Sequence, residues 1–389
     1  MRRLMRQIEW DIIERKLEGR LSSEEESCFK AWCTASKENR DYFHKVEKFY
    51  RENGFVKEVT DKDINISWNK FVTRQKGSKK GRRRILSYWS VAGVAACLLI
   101  GVLIFVLGKE EHVVPSGQIV AIPAGGNRAI LQLSTGECIE LENYSNELEE
   151  ASAKIVNTGS LLSYEKKQDT LVREEIFNNV TTPRGGEYGI TLADGTKVYL
   201  GALSKIEYPV TFTGNRRVVK ASGEVYFEVA RDTARPFIVE MKNQQIEVLG
   251  TTFNVRDYED EVFVETTLVS GKVKVSTGDE SCILAPNQQS VLDKKTGNMV
   301  QRDVDVAEFV DWKNGKLNIR NQRLEDILNR LSKWYDVYIF YVNEEAKDAR
   351  FYANIDRYSD MNELLDKFEK TGQVTFKIKG NVINVSTVK

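Results

Sequence analysis

Residues 188–202 read YGITLADGTKVYLGA. Tyr188, Ile190 and Leu192 alternate with polar or small residues before Asp194-Gly195, and Val198 and Leu200 resume the alternation after it. Successive strand side chains point to opposite faces, so this pattern builds a hairpin around a glycine-containing turn. Upstream, AILQLSTGECIELEN at 129–143 repeats the plan around Gly136. Downstream, apolar alternation continues through Val218-Val219, 224–229, 237–239, 246–249, 262–264 and 271–275, with turn residues roughly every ten positions. That spacing predicts an all-β sandwich, barrel or stacked-sheet domain over 180–306, preceded by a β-rich lead-in at 109–179.

Past Trp312 the period changes. Lys316-Leu317-Asn318-Ile319 reads as a strand, and Leu324, Ile327, Leu328, Leu331, Trp334 and Tyr335 form a helical stripe. Strands at 337–341 and 350–353 come next, then a helix carrying Met361, Leu364, Leu365 and Phe368, then strands at 374–378 and 382–385. The order βαββαββ over 312–389 describes a small α+β domain.

Toward the N-terminus the decisive stretch is ILSYWSVAGVAACLLIGVLIFVLG, residues 85–108, without one charge. As a helix it spans roughly 35 Å, enough for a hydrocarbon core of about 30 Å. The linker 76–84 contains Lys76, Lys79, Lys80, Arg82, Arg83 and Arg84, whereas Lys109-Glu110-Glu111-His112 is nearly neutral. Excess Lys and Arg marks the cytoplasmic flank, so the expected arrangement is a single-pass membrane protein with its N-terminus inside and residues from Lys109 outside. A signal peptide begins near residue 1 and has a shorter apolar core.

Residues 1–75 read as a small all-α cytoplasmic bundle. Leu4, Ile8, Ile12 and Leu17 approximate one stripe, with Gly19 as a stop. Ser22-Ser23-Glu24-Glu25-Glu26 holds two overlapping capping boxes, opening a helix with Phe29, Trp32 and Cys33. Lys37-Glu38-Asn39-Arg40 is expected to break it. A third helix carries Tyr42, Phe43, Val46, Phe49 and Tyr50, and a fourth Ile64, Trp68, Phe71 and Val72. So small a unit gains little from burial alone. Its aromatics either fill the bundle or form a groove for a partner, with Trp10, Trp32, Phe43 and Trp68 the candidates.

Lys plus Arg equals Asp plus Glu, 57 each, so net charge points to no nucleic-acid partner. Cys28 and Cys33 lack a second ligand pair; Cys138 and Cys282 could pair in an oxidising space, although their separate positions in β-rich segments fit buried free thiols better. The two histidines are His44 and His112, so nothing beyond Val113 supplies one. That removes Ser-His-Asp and Cys-His catalysis and histidine-ligated metal from the larger region. No GxxxxGK[ST], GxGxxG or HExxH pattern occurs. Neither an enzyme, a metal nor a cofactor is expected.

TTPRGGEYGITLADGTKVYLGALSKIEYP, ASGEVYFEVA, PFIVE, VLGTTFNV and TTLVSGKVKV together resemble the outer domain of FecR-type transmembrane anti-sigma factors. LNIRNQRLEDILNRLSKWYDVYIFY resembles the C-terminal domain attached to many of them, which is similar to the short N-terminal domain of secretins and TonB-dependent transporters. LSSEEESCFKAWCTASKENRDYFHKVEKF resembles their cytoplasmic segment more loosely. Gly201 departs from the pattern, standing where the family usually shows a polar residue. The resemblance implies a multidomain signalling protein. Its inner helices hold an extracytoplasmic-function sigma factor, and its outer part senses the signalling domain of a TonB-dependent outer-membrane transporter.

Two further readings stand open. The outer β domain could instead be a membrane-anchored glycan- or wall-binding module, with Tyr188, Tyr199, Tyr208 and Tyr226 as sugar platforms or as ordinary packing. And in Leu249-Gly250-Thr251-Thr252-Phe253 a threonine hydroxyl stands after a glycine carbonyl it can attack, giving an ester that water opens. Gly250-Thr251 is thus either a self-cleaving bond or a glycine bulge leading into a strand.

Overall fold

The structure, a computed structural model, describes residues 10–17, 19–52, 121–144, 147–150, 153–166, 175–278 and 280–388. The expected fourth helix with Trp68, the linker with Arg82, Arg83 and Arg84, and the apolar stretch 85–108 lie outside these residues. Among the described residues no helix is long and apolar enough to cross a membrane. The chain divides into two units, 1–120 and 121–389.

The first unit contains α1 (Trp10–Leu17), α2 (Ser23–Ala35) and α3 (Lys37–Glu52). Of the two overlapping capping boxes, Ser22 with Glu25 forms: the Ser22 hydroxyl accepts from the Glu25 amide, and the Glu25 carboxylate accepts from the Ser22 amide. Glu26 instead binds Lys16 of α1 at 2.9 Å. The expected breaker Lys37-Glu38-Asn39-Arg40 is the first turn of α3; the chain breaks one residue earlier, at extended Ser36. The Ser36 hydroxyl accepts from the Asn39 amide at 3.1 Å, so a capping side chain, not a charged run, separates the helices.

In the second unit, two sheets share one long strand, Arg217–Glu228. Its first half pairs antiparallel with Lys205–Pro209 and parallel with Phe237–Glu240. Its second half pairs with Lys197–Leu200 and Thr252–Asp257. The switch falls at Gly223, whose φ is +86°. A Cβ there would lie 2.5 Å from the Ser204 hydroxyl and 2.7 Å from the Leu203 carbonyl, so only glycine lets the strand bend between sheets.

Both expected hairpins form, Gly186–Thr191 with Lys197–Leu200 and Ile130–Gln132 with Cys138–Glu140. Leu131, Ile155, Leu162, Val180, Val198, Phe227, Phe253 and Val275 meet in a single core between the sheets. The lead-in strands of 130–166 therefore belong to the same β domain as the strands from Phe177 onward. Cys138 is free but exposed at an edge, contrary to the buried thiol expected there; Cys282 is free and half-buried. At Cys138 the short strand buries Ile139 and turns both neighbours outward.

Two short helical turns, α4 (Ala307–Val310) and a 3-10 turn at Asp311–Asn314, lead into the C-terminal domain. There the order is Lys316–Arg323, α5 (Leu324–Trp334), Tyr338–Tyr341, Arg350–Asp356, α6 (Met361–Glu369), Val374–Lys379 and Val382–Thr387. Lys316–Arg323 pairs with Arg350–Asp356, and Val382–Thr387 lies between the other two strands. Leu324, Ile327, Leu328, Leu331 and Trp334 of α5 and Met361, Leu364, Leu365 and Phe368 of α6 are buried in a second core, separate from that of the sandwich. Ile122, just ahead of the first strand of the β domain in sequence, joins this second core, and its carbonyl accepts from the Met361 amide.

Candidate signalling surfaces and the interdomain junction

In the helical unit Trp32 is 5% exposed, with Phe29 at 6.0 Å and Tyr42 at 6.2 Å between ring centres. It is core. Phe43 is half-buried and meets Phe29 edge-on at 4.7 Å. The structure thus brings Trp32 and Phe43 together through Phe29, while Trp10 opens α1 and Trp68 lies outside the described residues.

Tyr188, Tyr208 and Tyr226 are 2%, 0% and 6% exposed. Tyr208 donates to the Tyr164 hydroxyl, and Tyr188 to Asn157. Tyr199 lies under the Lys313 ammonium at 4.6 Å. Three of the four supposed sugar platforms are core and are not available to stack on a sugar.

At Gly250-Thr251 the glycine has φ +154°, and a Cβ there would stand 2.7 Å from the Arg231 Cα. Thr251 is 4% exposed; its hydroxyl donates to the Lys272 carbonyl at 3.0 Å, and its carbonyl accepts from the Val229 amide. A register shift comes next, between Thr252 and Phe253. The bond lies at an irregularity where strands begin, between two paired neighbours.

The family-like motif Thr181-Thr182-Pro183-Arg184-Gly185-Gly186-Glu187 is a clasp for the C-terminal domain. Arg184 reaches the Asp336 carboxylate at 2.7 Å, donates to the carbonyls of Ser332 and Val337, and lies over the Tyr338 ring. The Gly185 amide donates to the Lys333 carbonyl. Glu187 accepts from Arg357 at 2.6 Å and from the Tyr358 hydroxyl at 2.8 Å. Trp334 packs where Gly125 leaves no room for a Cβ, and Arg357 stacks 3.6 Å from the Trp334 ring centre.

Behind the clasp lies a buried charge network. Arg256 binds Glu224 at 3.0 Å and Glu261, and Lys333 binds Glu261 at 3.2 Å and Asp260 at 3.0 Å. Burial pushes the Glu261 carboxyl up, but Arg256 and Lys333 outweigh it and hold it below the usual carboxylate range. Glu265 and Asp326 lack such compensation, and burial lifts both carboxyls despite nearby guanidinium groups. Trp312 donates to Asn254 from a third small cluster with Tyr226 and Val310. Close packing at this cluster also accounts for Gly201: a Cβ would stand 3.7 Å from the Trp312 ring and 3.3 Å from the Glu224 carbonyl.

None of these junction residues stood out in the sequence as a site. The available signal was charge at strand positions flanked by apolar residues, as in Glu224-Val225 and Val255-Arg256. A charge so placed needs a buried partner, but the partner is remote in sequence: Glu224 meets Arg256 32 residues on, and Glu187 meets Arg357 of the other domain.

Residues 178–274 match the family model described as FecR protein, and residues 316–385 that described as FecR, C-terminal. No curated protein matches the chain. Two crystal structures of a proposed anti-sigma factor from Parabacteroides distasonis ATCC 8503 are similar to it. One is 26% identical, with a TM-score of 0.51 over 54% of this chain and 99% of that one. The other is 25% identical, with a TM-score of 0.50 over 55% of this chain and 100% of that one. The chain thus carries a FecR domain and a FecR C-terminal domain, in that order and joined by the clasp.

Proposed function

We propose that this protein is a single-span anti-sigma factor of the inner membrane, with residues 1–75 in the cytoplasm and the unit from 121 onward in the periplasm. Its inner helices bind an extracytoplasmic-function sigma factor, and its outer unit receives a signal from the signalling domain of a TonB-dependent outer-membrane transporter. The carrying observation is the domain order: FecR and FecR C-terminal domains come after an uninterrupted apolar stretch with a basic flank, and an aromatic helical unit precedes it. The likeness to proposed anti-sigma factors supports the same reading. The outer unit suits reception of a protein, because the two-stranded sheet Lys316–Arg323/Arg350–Asp356 leaves strand edges available for addition of a partner strand.

Copurification tests the proposal. The full chain in detergent should retain an extracytoplasmic-function sigma factor from its own cell, and a chain lacking residues 1–75 should not. Equal retention by both would sink the sigma-binding assignment.

A further inference from the structure

The two small sheets of the C-terminal domain have four edge strands, and three of them carry a contact along the edge. Beside Lys316–Arg323, Asn318 donates to Asp311 and Gln322 to Glu308 of the preceding turns. Ahead of Tyr338–Tyr341, Arg184 takes the Val337 carbonyl. On Val374–Lys379, the Phe376 amide donates to the Glu369 carboxylate. Contacts of this kind blunt an edge against pairing with another chain. Arg350–Asp356 differs. The Arg357 amide bonds the Gly315 carbonyl and the Leu324 amide the Ala349 carbonyl, so the alternation of an antiparallel ladder turns the backbone groups of Phe351, Ala353 and Ile355 toward the partner strand. Those of Arg350, Tyr352 and Asn354 turn outward, and among the described residues no backbone group meets them. The side chains of Arg350, Tyr352, Asn354 and Asp356 are exposed, Tyr352 at 73%, while Phe351 and Ile355 are buried on the core side.

This strand is complementary to itself. Laid antiparallel beside a second copy, about a two-fold axis at Ala353, it sets Arg350 opposite Asp356 of the second copy and Tyr352 opposite Asn354, each pair occurring twice. On the core side Phe351 comes opposite Ile355, and Ala353 opposite itself, where a small side chain lets the strands close. The outward amides and carbonyls of Tyr352 and Asn354 meet in the same register. A shift that places Tyr352 opposite itself sets Arg350 against Asn354, and both ion pairs are lost. We propose that Arg350–Asp356 pairs with the same strand of a second copy, joining two two-stranded sheets into one of four strands and making the protein a two-fold dimer. One edge takes one strand, so a second copy and a strand of another protein compete for it. The pairing is independent of any sigma factor or transporter and of the side of a membrane on which the unit lies.

The test is charge reversal, read as self-association of the full chain in detergent by sedimentation. Arg350→Glu alone and Asp356→Arg alone each put like charges opposite one another at both ends of the pairing. Each should weaken association by about tenfold or more, because two ion pairs turn from attraction to repulsion. Mixing the two variants puts opposite charges at both ends again and should restore association, which also shows that both are folded. Ala353→Cys should form a disulfide between copies on oxidation beyond any that the natural chain forms, since residues facing each other across such an axis lie within disulfide reach. A natural chain that stays monomeric, a dimer unaffected by either single variant, or a mixture that associates no better than its components would each overturn the proposal and leave the edge to a strand of another protein.

Discussion

Arg184 and Asp336 stand 152 residues apart in sequence and meet at 2.7 Å. With the two carbonyls that Arg184 also holds, this contact fastens the β domain to the turn between α5 and the strand Tyr338–Tyr341. Each domain has its own apolar core, so the clasp, with the Lys333 ion pairs and the packing of Trp312 and Trp334, sets their mutual position.

Arg184→Ala should loosen docking without unfolding either domain. Asp336 is more than half exposed, so the ion pair itself contributes little; the loss comes mainly from the Val337 carbonyl, about 1–3 kcal/mol, since the Ser332 carbonyl still accepts from the Val337 amide. Limited trypsin digestion should cut faster between 306 and 316, with each domain surviving as a fragment. Arg184→Lys should restore little, since an ammonium cannot reproduce the planar fork. Unchanged digestion would mean that Arg184 does not hold the two domains together.

Gly223→Ala should destabilise the β domain by at least about 2 kcal/mol, from a positive φ plus a Cβ clash against the backbone. Gly278→Ala is the control: its φ is also positive at +51°, but nothing lies within 4 Å, so about 1 kcal/mol is expected. Urea midpoints of the two variants measure the difference. Equal shifts would mean that the sheet switch tolerates a side chain.

Trp32→Ala should unfold the helical unit, because removing a buried tryptophan from so small a core costs about 3–5 kcal/mol. Lost sigma binding in this variant would be indirect. Phe43→Ala, at a half-buried ring, should keep far-ultraviolet helicity and is the variant that reports on contact. A helical Trp32→Ala protein would contradict its place in the core.

Acidity should act oppositely on neighbouring carboxylates. The Glu261 pKa is depressed in the folded state, so its contribution is present above the unfolded carboxylate range, near about 4.3, and is lost as pH falls through the folded value. Glu265 and Asp326 are raised, so each costs stability that builds as pH rises from the unfolded carboxylate range and is complete above the folded value. At pH 7, Glu261→Gln should lower the unfolding midpoint and Glu265→Gln should raise it. The reverse order would show that these carboxylates do not sit in the network as described.

Topology is tested by fusion. A reporter active only outside the cytoplasm should be active when joined after Val114 and silent after Trp68. Hydrolysis at Gly250-Thr251 carries its own signature in the mass spectrum: a fragment beginning at Thr251, lost in Thr251→Ala and retained in Thr252→Ala. The pieces would stay paired, since Thr252–Asp257 is held on both sides by strands.

Local chemistry settled much of this protein. Alternation at period two decided the strands, glycine turns decided the hairpins, and the stripe Leu324–Tyr335 decided α5, because each depends on residues within a few positions of one another. Capping was equally local, although the choice of Ser22 over Ser23, and the break at Ser36, needed the backbone itself. Tertiary structure alone decided that the lead-in strands share the β core, that Trp32 and Tyr208 are filled space and not contact surface, and that Arg184 and Glu187 serve as a clasp. The reason is physical: a charge or an aromatic ring acquires its role from the group it meets, and here those groups lie tens to well over a hundred residues away.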